Sequence, residues 1–241
     1  MKHILLTVLL AMLHSVSNAQ FVGKLELTPK DCESTGKCTL VYDFGFIDPM
    51  KVGWQANAGL ATDGATIPFW AKPFIGGSFE KDFIKAAVIH DWYCDRSVRA
   101  WTQTHRVFYD ALLASGVDSV KAKIMYYAVL VGGPKWIDLI KGNECKVGDA
   151  CINNVNGNTS LPDGNILNRT AGEKYIFRKA RYSDPVVISD TAAVKLIIEA
   201  NNGITPEALE NLAKARNPND LYFKNGSSIR YQDKSSNLPT E

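Results

Sequence analysis

Residues 81–95, KDFIKAAVIHDWYCD, residues 102–116, TQTHRVFYDALLASG, and residues 118–133, DSVKAKIMYYAVLVGG, decide the fold class. In the first stretch Phe83, Ala86, Ala87, His90 and Cys94 recur at the three- and four-residue spacing that lines one face of a helix. In the second, His105, Phe108 and Leu112 share a face, and Gly116 ends the run. Asp118 or Ser119 can cap the third, whose stripe Val120, Ile124, Tyr127, Ala128 and Val131 runs to the stop Gly132-Gly133-Pro134. The connections are short, so the three helices should pack as neighbours.

Upstream, residues 24–27 and 39–42 read as short strands and residues 52–58 as a third, ahead of the loop Thr62-Asp63-Gly64-Ala65-Thr66-Ile67-Pro68. Downstream, residues 153–172 are rich in Asn, Gly, Ser and Thr and read as a linker or a long excursion. Residues 174–180 and 186–189 then read as strands around a Ser-Asp-Pro turn. Helices follow over about 191–201 and 206–216, the second with Pro206 at its first position. The tail from Ser227 is polar and is expected to fray. The fold class is therefore α+β: a small N-terminal β region packed on a three-helix core, with a small C-terminal αβ extension. The expected organisation is a signal peptide over 1–19, a main α+β domain over 20–152, and a linker with the small extension over 153–241.

Composition narrows the function classes. With 27 Lys plus Arg against 25 Asp plus Glu, the formal charge of +2 is too small for a protein that coats nucleic acid. A chain with 46% apolar and 22% charged residues is globular rather than disordered. Lys2 and His3 precede a run from Ile4 to Leu13 in which Thr7 is the sole polar residue, and Ser17-Asn18-Ala19 has the small-x-small pattern of a secretory cleavage site. Such a run is too short to span roughly 30 Å of hydrocarbon as a helix. The later apolar run from Ile124 to Val131 is shorter still, so no transmembrane span is expected. The expected location is periplasmic or secreted, with a mature chain starting at Gln20.

Cysteine spacing agrees with that address. Cys32 and Cys38 close one short interval and Cys145 and Cys151 another, which reads as two local disulfides in an oxidising compartment. The spacing is wider than in common zinc knuckles. Cys94 is left over inside a helical apolar pattern and is expected to be a buried free thiol.

Among residues that can do chemistry, His90 and Asp91 stand out. Consecutive helical side chains point about 100° apart, so these two face neighbouring targets rather than each other. That suits an imidazole that takes a proton beside a carboxylate that holds a metal or water. Asp63 in its glycine-containing loop, Asp95 one turn after Asp91, and His105 on the next helix add company. The bland alternatives are an Asx-turn at Asp63-Gly64 and a hydrogen-bonded core histidine. Asp91, His105 and Asp63 as mixed ligands would suit zinc, whereas an all-oxygen shell from Asp91, Asp63 and loop carbonyls would suit calcium. Cys94 as a nucleophile is disfavoured by its apolar face. There is no G-x-S-x-G elbow, no H-E-x-x-H and no phosphate loop.

The order Thr62-Asp63-Gly64-Ala65-Thr66-Ile67-Pro68, then Ala86-Ala87-Val88-Ile89-His90-Asp91-Trp92-Tyr93, then Phe108 with Ala111-Leu112 and Gly116-Val117, then Met125-Tyr126 with Ala128-Val129 and Gly132-Gly133, resembles the phage and bacterial domain of unknown function 1353. The resemblance covers about residues 24–133 and implies no established activity. Where that family usually has Ala-Asp, this chain has Thr104-His105, which replaces a carboxylate by an imidazole and would favour a softer ion. A narrower similarity is to secreted phospholipase A2, whose His-Asp helix implies a water-activating His and a calcium-binding Asp. His90-Asp91-Trp92-Tyr93 and Phe108-Tyr109 fit that outline. Its paired Asp would fall at His105 or Asp110, and its calcium loop at Gly64 or Gly76-Gly77.

The function expected from these features is a metal- or His-dependent hydrolase acting on a cell-envelope component, a lipid ester or a peptidoglycan bond. His90, Asp91 and Asp63 would carry catalysis, and Asp91, His105 and Asp63 would hold a divalent metal, Ca or Zn. The competing expectation is a non-catalytic, phage-related binding or assembly protein in which the His-Asp cluster is an internal polar network.

Overall fold

A computed structural model describes residues 19–34, 36–62, 83–142, 151–153, 160–161, 164–168 and 172–232. The N-terminal region contributes short strands β1 (Gln20–Val22), β2 (Leu27–Thr28), β3 (Cys38–Leu40), β4 (Phe44–Ile47), β5 (Gly53–Ala56) and β6 (Ala61–Thr62). They form two antiparallel sheets, ordered β1-β4-β5 and β2-β3-β6. The strand expected over 24–27 is displaced. Gly23, at φ 88°, turns the chain after β1, and pairing resumes only at Leu27.

Alternation along β4 and β5 buries Phe44, Phe46, Trp54 and Ala56. That apolar face receives α1 (Ile84–Arg96). Trp54 meets Tyr93 edge-on at 4.7 Å, and the Tyr93 hydroxyl accepts the Gln55 backbone N–H at 3.1 Å. The disulfide Cys32–Cys38 is formed, and Cys94 is a buried free thiol as expected. The second cysteine pair involves Cys145, which lies outside the described residues.

The three helices follow as α1, α2 (Trp101–Ala114) and α3 (Ser119–Gly132), each packed on the next. Gly116, at φ 86°, ends α2 as expected, and the Val117 N–H bonds back to the Leu112 carbonyl at 3.1 Å. Asp118 caps α3 by accepting from the N–H groups of Val120 and Lys121. The stripe expected on α3 is too narrow, since every residue from Ala122 to Gly132 is buried. The reason is tertiary: α2 covers one side, and α4 (Pro185–Ala200) and α5 (Pro206–Arg216) cover others.

After Gly132-Gly133-Pro134 the chain enters β7 (Lys135–Lys141). This strand joins a six-stranded sheet with β8 (Cys151–Asn153), β9 (Ser160–Leu161), β10 (Gly164–Asn168), β11 (Lys174–Arg178) and β12 (Ser228–Gln232), in the order β8-β12-β7-β11-β10-β9. Three local expectations are corrected here. Residues 186–189 are helical, because Asp184 accepts the Val186 N–H at 2.9 Å and Pro185 occupies the first turn of α4. Ser-Asp-Pro is thus a helix start rather than a turn. Part of the presumed linker pairs as β9 and β10. The start of the polar tail is β12, held in parallel between β7 and β8, with Ile229 buried. A strand paired on both edges obtains its hydrogen bonds from its neighbours, whatever its own propensity.

Packed on β7, α6 (Leu221–Asn225) buries Tyr222 and Phe223, and Phe223 meets Trp101 of α2 edge-on at 5.3 Å. One hydrophobic cluster runs from Leu40 and Phe44 through the three helices to Ile176 and Ile229. Polar anchors tie α5 to the helices beneath it: Arg106 pairs with Glu207 at 2.6 Å and Glu210 at 3.0 Å, and the Tyr126 hydroxyl donates to Glu210 at 2.6 Å. Among the described residues no helix is long and apolar enough to cross a membrane.

Candidate functional site

His90 and Cys94 are four residues apart on α1 and therefore share a face. Across from them α2 presents His105 and Phe108, both buried. His90 Nε2 lies 2.9 Å from His105 Nδ1, and Cys94 Sγ lies 3.4 Å from His90 Nε2. His105 Nε2 lies 3.0 Å from the Pro134 carbonyl, at the turn that leads out of α3. His105 is fully buried, and His90 is 6% exposed.

This chain of contacts assigns the protons. The Pro134 carbonyl can only accept, so His105 Nε2 carries a hydrogen. Burial pushes the His105 pKa well down, reinforced by His90 and Lys135 and opposed by the Pro134 carbonyl. Its ring is therefore neutral, and its Nδ1 accepts the hydrogen bond that His90 Nε2 donates. The lone pair of a neutral His90 is then left on Nδ1. Burial, with Asp91 and Asp95 nearby, raises Cys94 well above the ordinary thiol range, so it is a thiol and not a nucleophilic thiolate.

Asp91 leaves the helix in another direction. Its Oδ1 is 3.8 Å from His90 Nδ1, near but beyond hydrogen-bond reach, in keeping with the angle between consecutive helical side chains. Its Oδ2 accepts the Thr62 hydroxyl at 2.8 Å. Thr62 is the first residue of the Thr-Asp-Gly loop motif and pairs across β3 with Cys38, whose disulfide clasps the strand. The two sequence motifs therefore meet at Thr62 and Asp91.

Residues 38–129 match the family described as Protein of unknown function (DUF1353). The matched segment runs from β3 through most of α3, so it holds Thr62, His90, Asp91, Cys94 and His105, while Pro134 lies beyond it. The uncharacterized protein y4iH of Sinorhizobium fredii (strain NBRC 101917 / NGR234) is 49% identical over 132 residues, covering 55% of this chain and 55% of its own length. The uncharacterized protein y4jT of the same strain is 41% identical over 124 residues, covering 49% of this chain and 36% of its own length. The chain thus spans about half of the first relative and about a third of the second. No solved structure matches it.

Within the matched segment, the sequence-derived residues divide. His90 and His105 are in direct contact, and Asp91 adjoins them. Asp63, Gly64, Gly76 and Gly77 lie outside the described residues. Asp95 is exposed on the last turn of α1. Of the two positions where the phospholipase-like paired carboxylate would fall, His105 touches His90, whereas Asp110 faces Arg106 at 3.8 Å. Cys94 was not assigned as a partner of His105, although its four-residue spacing from His90 was a usable signal. The Pro134 carbonyl and Lys135 could not be found from spacing, because both reach the cluster from another element.

A separate cavity of about 450 Å³ opens among the C-terminal elements, where Arg178, Arg181 and Arg216 face Asp184, Asp190 and Asp220. Arg178 pairs with Asp220 at 2.6 Å and Arg216 with Asp190 at 2.5 Å, so charge cancels across it. None of the sequence-derived residues lines it.

Proposed function

We propose that this protein is an exported hydrolase that cleaves a cell-envelope substrate, a lipid ester or a peptidoglycan bond, with water activated at the His90 centre. The observation that carries the reading is the relay from the Pro134 carbonyl through His105 to His90, which leaves His90 Nδ1 as the basic nitrogen on the Asp91 side. A base held in one tautomer by a second, buried group is the arrangement general-base catalysis needs. In this reading His90 Nδ1 takes a proton from water as its oxygen attacks the ester or amide carbonyl, and the imidazolium returns that proton to the leaving alcohol or amine as the C–O or C–N bond breaks. Asp91 stabilises the imidazolium, and Asp63 supplies the second carboxylate. The Cys32–Cys38 disulfide supports an oxidising compartment.

A second reading is a phage-related binding or assembly protein in which the same groups form an internal polar network. Its support is the burial and mutual hydrogen bonding of His90 and His105. Assays of the secreted chain against phospholipid vesicles and purified peptidoglycan separate the two. Under the hydrolase reading, His90→Ala lowers turnover at least about 100-fold with little change in melting temperature. Under the network reading, neither substrate is cleaved and His90→Ala unfolds the protein by leaving His105 Nδ1 buried without a donor.

A further inference from the structure

The triangle of His90 Nε2, His105 Nδ1 and Cys94 Sγ is more than a hydrogen-bonded cluster, and we propose that it is a binding site for one borderline-soft divalent ion of the zinc class. All three atoms lie within 4.8 Å of one another, and all three residues are buried. The triangle carries none of the carboxylates expected from the sequence as metal ligands. Its donor set, two imidazoles and one thiolate, selects zinc or cobalt over calcium or magnesium, which require oxygen.

The dimensions fit. Bond lengths of about 2.0 Å to imidazole nitrogen and about 2.3 Å to sulfur, at a tetrahedral angle, place two nitrogens about 3.3 Å apart and sulfur about 3.5 Å from nitrogen. Two sides here are 2.9 Å and 3.4 Å and need to open by only a few tenths of an ångström; the third, from Cys94 Sγ to His105 Nδ1, is within 4.8 Å, and Sγ, also 3.8 Å from His90 Nδ1, would swing toward Nε2 to close it. The outer contacts are also those of a metal site. His105 Nε2–H donates to the Pro134 carbonyl, which aims Nδ1 inward, and Asp91 stands behind the far nitrogen of His90.

Binding would move the His90 proton from Nε2 to Nδ1, on the Asp91 side, and release the Cys94 thiol proton to solvent. A dication, one thiolate and the Asp91 carboxylate then sum to zero charge, which suits a buried location. Three protein ligands leave the fourth position of a tetrahedral ion for water. In its catalytic consequence the inference rests on the hydrolase reading and alters one step of it: with the ion bound, His90 Nδ1 carries a proton, and the ion rather than His90 would lower the pKa of the attacking water. The existence of the site does not depend on turnover and is measured with no substrate present.

The test uses the full secreted chain with its Cys32–Cys38 disulfide intact, stripped by a chelator and dialysed against zinc or cobalt(II). The expected result is one retained ion per chain and, with cobalt, a sulfur-to-metal charge-transfer band in the near ultraviolet. Cys94→Ser should abolish that band and weaken zinc binding by more than about 100-fold, beyond the loss expected for an outer hydrogen-bond partner. Should Cys94→Ser fail to fold, X-ray absorption on the zinc-loaded wild-type chain should give one sulfur and two imidazoles. Failure of the wild-type chain to retain either ion, a sulfur-free shell, or a band that survives Cys94→Ser overturns the site. Metal uptake without hydrolysis would leave the site and remove the hydrolase; hydrolysis by the stripped chain would leave the hydrolase and remove the catalytic role of the ion.

Discussion

Gly133→Ala should lower the unfolding free energy by more than about 3 kcal/mol. A Cβ at this position would lie 2.4 Å from the Val129 carbonyl oxygen, and 2.9 Å and 3.0 Å from Cε1 and Nε2 of His105. The Val129 oxygen is helix backbone and already accepts the Gly133 N–H at 2.8 Å, so it cannot retreat without opening the end of α3. The His105 ring can move only by breaking its bonds to the Pro134 carbonyl and to His90. Either response damages the turn that joins the helical core to β7. Urea unfolding checks the size of the effect. Gly53→Ala is the control, since a Cβ there meets nothing within 4 Å, and its cost should stay below about 1 kcal/mol. Equal stability of the two variants would show that the approach of the turn to His105 is looser than described.

Lys135→Met should have the opposite sign, raising stability at neutral pH by about 1–4 kcal/mol. Lys135 is fully buried, and its Nζ donates to the Val131 carbonyl at 2.9 Å. The rings of Trp101 and Phe223 each lie 5.2 Å from the nitrogen. Those faces and Asp220 favour an ammonium, whereas burial and the nearby Arg178 oppose it. Burial is the largest effect, and the folded-state pKa falls well below 10.5.

Proton linkage sets the sign of the pH dependence. Above the lowered folded value and below 10.5, the unfolded lysine binds a proton that the folded one does not, so stability rises with pH across that window. Methionine retains the length and packing without the ionisation cost, and its curve should be flatter there. Melting curves of both proteins at several pH values decide the matter. A less stable Met variant would mean that the lysine's hydrogen bond to the Val131 carbonyl and its two aromatic faces outweigh the cost of burying it.

The helical core was legible because its signals are local. Apolar spacing in residues 81–133, Gly116 after α2 and the Asp118 cap of α3 each act within a few residues, and each is found where spacing placed it. The C-terminal region was less legible. Residues 186–189 have the β-branched composition of a strand, but the Asp184 cap and Pro185 start a helix there. Ser228–Gln232 carries little strand signal and becomes β12 because two distant strands supply its hydrogen bonds.

For the candidate site, the sequence by itself determined that His90 and Cys94 share one face of α1, that Asp91 points elsewhere, and that His105 sits on the face α2 buries. These follow from helical geometry alone. Only the tertiary structure decided that His105 meets His90 rather than Asp91, that Thr62 reaches Asp91, and that the Pro134 carbonyl fixes the tautomer. The physical reason is that such contacts depend on how two helices and a returning strand settle against each other. No local period encodes that depth and rotation, which the packing of the whole core selects.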